Sequence, residues 1–158
     1  MNFHDDLLDH LAGTWRVTGT VVGRPLEHLC EAEWTLNHPF LKVHFLDVGE
    51  GSRGGDRPRP RYEALVFIGY DNMSERTVCH WIDVFGGRFS ETLGYGSLLG
   101  TDARGENAIR FVFEYPDGLL HNTFTWDSER GTWSIVFEQK DEAGRWTPFA
   151  DELLVRAA

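Results

Sequence analysis

From Gly13 onward the sequence alternates polar and apolar residues with a period of two, almost to its end. That period belongs to strands, whose successive side chains point to opposite faces, and not to helices. Turn chemistry cuts the alternation into ten runs: 14–22, 27–36, 40–48, 61–70, 75–85, 88–97, 107–115, 119–127, 131–139 and 145–156. The cuts fall at Gly23-Arg24-Pro25, Asn37-His38-Pro39, Asp71-Asn72, Gly86-Gly87, Asp117-Gly118, Arg130-Gly131 and Ala143-Gly144. Gly86-Gly87 is the sharpest, since both residues accept the positive φ of a two-residue hairpin. Consecutive strands joined by short turns lie antiparallel and adjacent. Ten in a row leave two raw edges unless the sheet closes on itself, so the expected fold is all-β: one ten-stranded antiparallel up-and-down barrel over residues 1–158.

Two segments break the alternation. Residues 2–12 place Phe3, Leu7, Leu8 and Leu11 at helical spacing, with Asn2 as a capping residue and Gly13 beyond the end; a short helix here could cover an open end of the barrel. Residues 49–60, GEGSRGGDRPRP, are rich in Gly, Pro and Arg and nearly free of apolar side chains. They read as a mobile, solvated loop, with an anion-recruiting lid as the sharper alternative.

Parity sorts the strand faces. Trp15, Val17, Gly19 and Val21 share one face of the first strand; Cys30, Ala32 and Trp34 of the second; Tyr62, Ala64, Val66 and Ile68 of the fourth. Ile109, Phe111, Phe113 and Tyr115, then Asn122, Phe124 and Trp126, then Trp133, Ile135 and Phe137 do the same on the seventh, eighth and ninth. All these sets should face inward. The third strand is open. The fifth divides into Cys79, Trp81 and Asp83 against Val78, His80 and Ile82, with the first set favoured because Arg76 belongs to the second. On the sixth, Phe89, Glu91, Leu93 and Tyr95 share a face.

Ten strands about 4.8 Å apart and tilted by about 40° give a backbone radius of roughly 10 Å, wide enough for a lumen unless large rings fill it. The chain carries 11 Phe, 6 Trp and 4 Tyr, so an aromatic-lined pocket and an aromatic plug are both open, the pocket preferred. A net charge of −10 repels phosphate backbones and anionic membranes, which excludes nucleic acid and membrane surfaces as partners. No basic-then-apolar leader opens the chain and no apolar run is long enough to span a bilayer, so a cytoplasmic protein is expected, with Cys30 and Cys79 as buried thiols.

Leu11-Ala12-Gly13-Thr14-Trp15, a G-x-W step entering the first strand, resembles the calycin (lipocalin-like) opening and that of fatty-acid-binding-protein-like and nitrobindin-like barrels. The stretches YEALVFIGYDNMSERTVCHWIDVFGGRFSETLGYG (62–96) and FVFEYPDGLLHNTFTWDSERGTWSIVFEQKDEAGRW (111–146) resemble the bacterial proteins grouped as domain of unknown function 1579. The resemblance covers almost the whole chain and implies a ten-stranded lipocalin-like barrel. It brings no catalytic motif. No histidine matches a nitrobindin-like haem ligand, so no cofactor is expected.

The seven histidines show no H-x-H, H-E-x-x-H or C-x-x-C spacing, which gives no metal site and leaves them as surface or singly bonded residues. No G-x-S-x-G elbow occurs, and Cys79 and His80 point to opposite faces. A hairpin turning at Gly86-Gly87 places Asp83 across from Ser90 and Glu91 across from Ile82, so the two acids cannot form a dyad. One inward acid, Asp83 or Glu91, beside Tyr95, Asn122 and Trp126 could orient a polar ligand group. The expected function is binding of a small, largely apolar ligand, lined by Trp34, Tyr62, Trp81, Phe113 and Trp126 with Asp83, Glu91, Tyr95 and Asn122 as polar contacts; Trp15 and Trp133 are structural. An enzyme using one pocket carboxylate, and a plugged barrel working through its surface or as a homodimer, are the alternatives.

Overall fold

The computed structural model describes residues 5–37, 39–49, 61–86, 93–101, 107–116 and 118–157. Ten strands follow one four-residue helix: α1 (Asp6–Asp9), β1 (Gly13–Val21), β2 (Arg24–Thr35), β3 (Phe40–Asp47), β4 (Glu63–Asp71), β5 (Arg76–Asp83), β6 (Leu93–Thr101), β7 (Asn107–Tyr115), β8 (Gly118–Asp127), β9 (Thr132–Lys140) and β10 (Trp146–Arg156). Every strand pairs antiparallel with its sequence neighbour, and β1 also pairs with β10, Trp15 opposite Arg156 through Val21 opposite Ala150. The sheet is a closed barrel with no free edge, as the uninterrupted run of hairpins predicts.

Local chemistry fixes the connections. Val22 (φ 49°) and Gly23 (φ 73°) make the first hairpin turn, so Arg24 and Pro25, expected in the turn, already belong to β2. Asp71, Asp127 and Asp141 end or follow their strands, and each carboxylate accepts backbone N–H groups two or three residues on, closing the turn with its own side chain. The described helix is shorter than 2–12. Asp5, in extended conformation (φ −133°), is its N-cap and accepts from the Leu8 amide at 3.0 Å, so the capping role expected of Asn2 falls to Asp5. Residues 1–4 and 50–60, which hold Asn2, Phe3 and nearly all of the Arg-rich loop, lie outside the described residues.

Burial follows parity. Trp15 and Val17, Cys30 and Ala32, Ala64, Val66 and Ile68, Ile109, Phe111 and Phe113, Phe124 and Trp126, and Trp133 and Ile135 are all buried in one core. The third strand sends in Leu41, Val43 and Phe45. The fifth sends in Cys79, Trp81 and Asp83, while His80 and Ile82 face out; Val78 shares their parity yet is buried. Cys30 and Cys79 are free, buried thiols.

The sixth strand departs from expectation. The ladder pairs Thr77 with Gly96 and Val78 with Tyr95, the register expected of a turn at Gly86-Gly87, though Gly87 itself lies outside the described residues. That register puts Gly94 and Gly96 inward, opposite Phe113 and Phe111, and turns Leu93 and Tyr95 outward, where the Arg76 guanidinium lies 3.8 Å from the Tyr95 ring centre. The reason is volume. A Cβ on Gly94 would stand 2.7 Å from the Phe113 ring, and one on Gly96 2.7 Å from the Phe111 ring. Two phenyl groups from β7 fill the space that β6 leaves empty.

Candidate functional site

The barrel interior has two unlike halves. At the end where β1 begins and β10 finishes, α1 and the turn after it form a stopper. Leu8 and Leu11 are fully buried against the core. Trp15 Nε1 donates to the Leu11 carbonyl at 2.7 Å, Trp34 Nε1 donates to Asp9 Oδ1 at 2.9 Å, and His10 stacks on Trp126 at 4.7 Å. Trp126 packs on Trp133 at 5.4 Å, and Arg156 lies over Trp15 at 4.3 Å while its Nη1 and Nη2 donate to the carbonyls of Ala12 and His10. Here indoles and leucines fill the lumen. Trp34 and Trp126, expected as pocket rings, belong to this stopper, because β2 and β8 both end at the covered rim.

The other half is hollow. A cavity of about 1140 Å³ opens at the rim formed by the end of β1, the start of β2, the ends of β3 and β5, and the start of β10. Tyr62, Trp81, Phe85, Phe113, Tyr115, Phe137 and Phe149 line it, with Leu26 and Leu120 between them. Trp81 stacks on Phe45 at 5.6 Å and meets Phe137 edge-on at 5.5 Å. Phe149 arrives through a bulge: Pro148 pairs with Glu138 and Ala150 with Phe137, so Phe149 is the extra residue, tipped to the rim 5.9 Å from Phe137.

A short polar chain crosses this wall. Trp81 Nε1 donates to Tyr62 Oη at 3.2 Å, Tyr62 Oη donates to Asp83 Oδ2 at 3.4 Å, and Asp83 Oδ1 accepts the Phe85 amide at 3.0 Å. Burial, with the Asp83 and Glu152 charges adding to it, holds the Tyr62 phenol protonated well above its ordinary range. His28, 6% exposed, stacks on Tyr62 at 5.4 Å. Burial keeps its imidazole neutral more strongly than Asp47, its partner on β3, favours the charged form. Glu152, 8% exposed on β10, is pushed up to about 7 by burial, with the Asp151 charge adding to it.

Four buried polar atoms lining this cavity have no hydrogen-bond partner: His28 Nδ1, Glu152 Oε2, and both Nδ2 and Oδ1 of Asn122, which is only 1% exposed. Leaving such an atom unsatisfied costs about 1–3 kcal/mol, so folded proteins seldom tolerate several together without something to receive them.

Tyr62, Trp81, Asp83, Phe113 and Asn122 therefore meet at the cavity as expected. Trp34 and Trp126 sit in the stopper and Tyr95 on the outer face; Glu91 lies outside the described residues. Sequence reasoning missed His28 and Glu152. His28 was visible, since it shares parity with Cys30, Ala32 and Trp34. Glu152 was not, because both faces of β10 are apolar: Ala150 and Leu154 on its own side, Leu153 and Val155 on the other. Among the described residues no three His, Cys, Asp or Glu side chains cluster as metal ligands. No family model and no curated protein matches the chain.

Proposed function

We propose that this barrel is a small-molecule binding protein of the lipocalin-like kind, and that its hollow half receives an apolar, ring-bearing or chain-bearing guest. One observation carries the reading: unpartnered polar atoms of His28, Asn122 and Glu152 converge on a cavity otherwise walled by aromatic rings. A wide apolar pocket with few, fixed polar groups is the usual form of a ligand site, in which hydrophobic burial gives affinity and the polar groups give orientation. The likeness to the domain of unknown function 1579 barrels belongs to the same proposal.

Trp81 is the one tryptophan on the cavity wall; Trp15, Trp34, Trp126 and Trp133 lie in the covered half and Trp146 stacks on His121 outside. Titrating the full chain with a panel of apolar compounds should quench or shift tryptophan emission, and Trp81→Phe should abolish most of that response. A panel that leaves the emission unmoved, or a response that survives in Trp81→Phe, defeats the reading.

A second reading, a single lumen acid working as a general base, is favoured by Glu152, whose buried carboxyl titrates near neutrality beside an apolar space. Asp83, one of the two acids expected in that role, already accepts from Tyr62 and Phe85.

A further inference from the structure

The charge on the cavity wall is one-sided. Asp83 and Asp47 line the hollow half, and Glu152 lies deeper, opposite Gly19. Among the described lining residues the sole cation is Arg24, an exposed side chain at the rim where β2 starts. Asp83 Oδ2 holds only a long 3.4 Å bond from Tyr62, and Glu152 Oε2 holds none although the residue is more than nine-tenths buried. A desolvated carboxylate is costly until a positive partner reaches it. Tyr62 and Trp81 line the same cavity, and aromatic π clouds attract cations and repel anions. Asn122 offers an unpartnered carbonyl oxygen to the same cavity.

We infer that the guest is an apolar molecule with a cationic amine, its ammonium drawn by the cavity acids Glu152 and Asp83 and its hydrocarbon packed on the rings of the hollow half. The inference rests on the binding reading above and adds the sign of the ligand's charge. A carboxylate or phosphate guest would meet acids on the wall with no buried cation to receive it. A neutral His28 suits an ammonium, since a charged imidazole would repel it.

Three compounds of one skeleton separate the terms: 4-phenylbutylamine, 4-phenylbutanol and 4-phenylbutyrate, each titrated into the full chain near neutral pH by calorimetry, with tryptophan emission read in parallel. The amine should bind about tenfold more tightly than the alcohol, the gain expected of a partly desolvated ion pair with ring contact, and the butyrate should be weakest. Glu152→Gln should shrink the amine-to-alcohol ratio towards one, while Glu114→Gln, an exposed acid on the outer face of β7, should leave the ratio in place. An alcohol that binds as well as the amine, a butyrate that binds best, or a ratio untouched by both Glu152→Gln and Asp83→Asn overturns the cation while leaving a binding barrel. Silence from all three compounds in heat and in emission overturns the cation and the binding reading together. The comparison of head groups on the unaltered chain stands even if a variant fails to fold.

Discussion

Glu152 and Gly19 face each other across the β1–β10 ladder, and both line the hollow half of the barrel. Position 19 cannot carry a side chain, because a Cβ there would collide with the Asp151 carbonyl on the neighbouring strand. The seam that closes the barrel is thus drawn tight at the very pair that holds the buried acid.

Gly19→Ala should therefore destabilise the fold by about 1–3 kcal/mol, the range for forcing atoms into a packed site. Urea denaturation checks this as a lowered midpoint at an unchanged slope.

Glu152 should make the protein less stable as the solution becomes more alkaline. Its folded value of about 7 lies above the ordinary 4.5, so the folded chain holds the proton more tightly than the unfolded chain does. Its contribution is fully present below about pH 4.5 and is lost as pH rises through about 7, a change on the order of 3 kcal/mol. His28 acts with the opposite sign: its lowered value gives stability above 6.5 that is lost as pH falls. The titratable groups that feel the Glu152 carboxyl or act on it are Asp151 on its own strand, Cys30 on β2 and Tyr62 just before β4. Unfolding curves at pH 5 and pH 8 should show Glu152→Gln losing less stability over that interval than the unaltered protein does.

The stopper should govern stability without governing the guest. Leu8→Ala or Leu11→Ala removes a fully buried side chain and should cost about 2–5 kcal/mol. Ligand affinity, measured by the emission of Trp81 well below the melting temperature, should stay within about twofold, because neither leucine touches the hollow half.

Gly96 and Phe111 should behave as a coupled pair. Gly96→Ala alone should destabilise by about 1–3 kcal/mol through its contact with the phenyl ring. Combined with Phe111→Leu, part of that cost should vanish, leaving a coupling energy of at least about 0.5 kcal/mol in a double-mutant cycle.

The number, order and closure of the strands were legible because each depends on local chemistry: alternation along a run, and turn residues such as Asp71 and Gly86 at its ends. Faces were legible wherever one parity was apolar and the other charged, as for Phe111 and Phe113 against Arg110 and Glu114. They became illegible where bulk moved to a neighbouring strand. On β6 the inward positions are Gly94 and Gly96, so the larger Tyr95 drew the inward assignment that belongs to its partners on β7. Which end of the tube each ring occupies was also beyond the pattern. Trp34 and Tyr62 carry the same inward parity, yet one is covered by Asp9 and the other opens on the cavity, because position along the axis depends on where α1 folds back.

The pairing of β1 with β10 has a temporal corollary. The enclosure is sealed by the tenth strand, synthesised after the other nine, and that strand also delivers Glu152. A nascent polypeptide that has finished nine strands owns neither a sealed vessel nor its innermost carboxylate, and it must keep two apolar sheet borders apart until the tenth arrives. A closed lumen in this molecule is an all-at-once property, acquired when β1 and β10 meet.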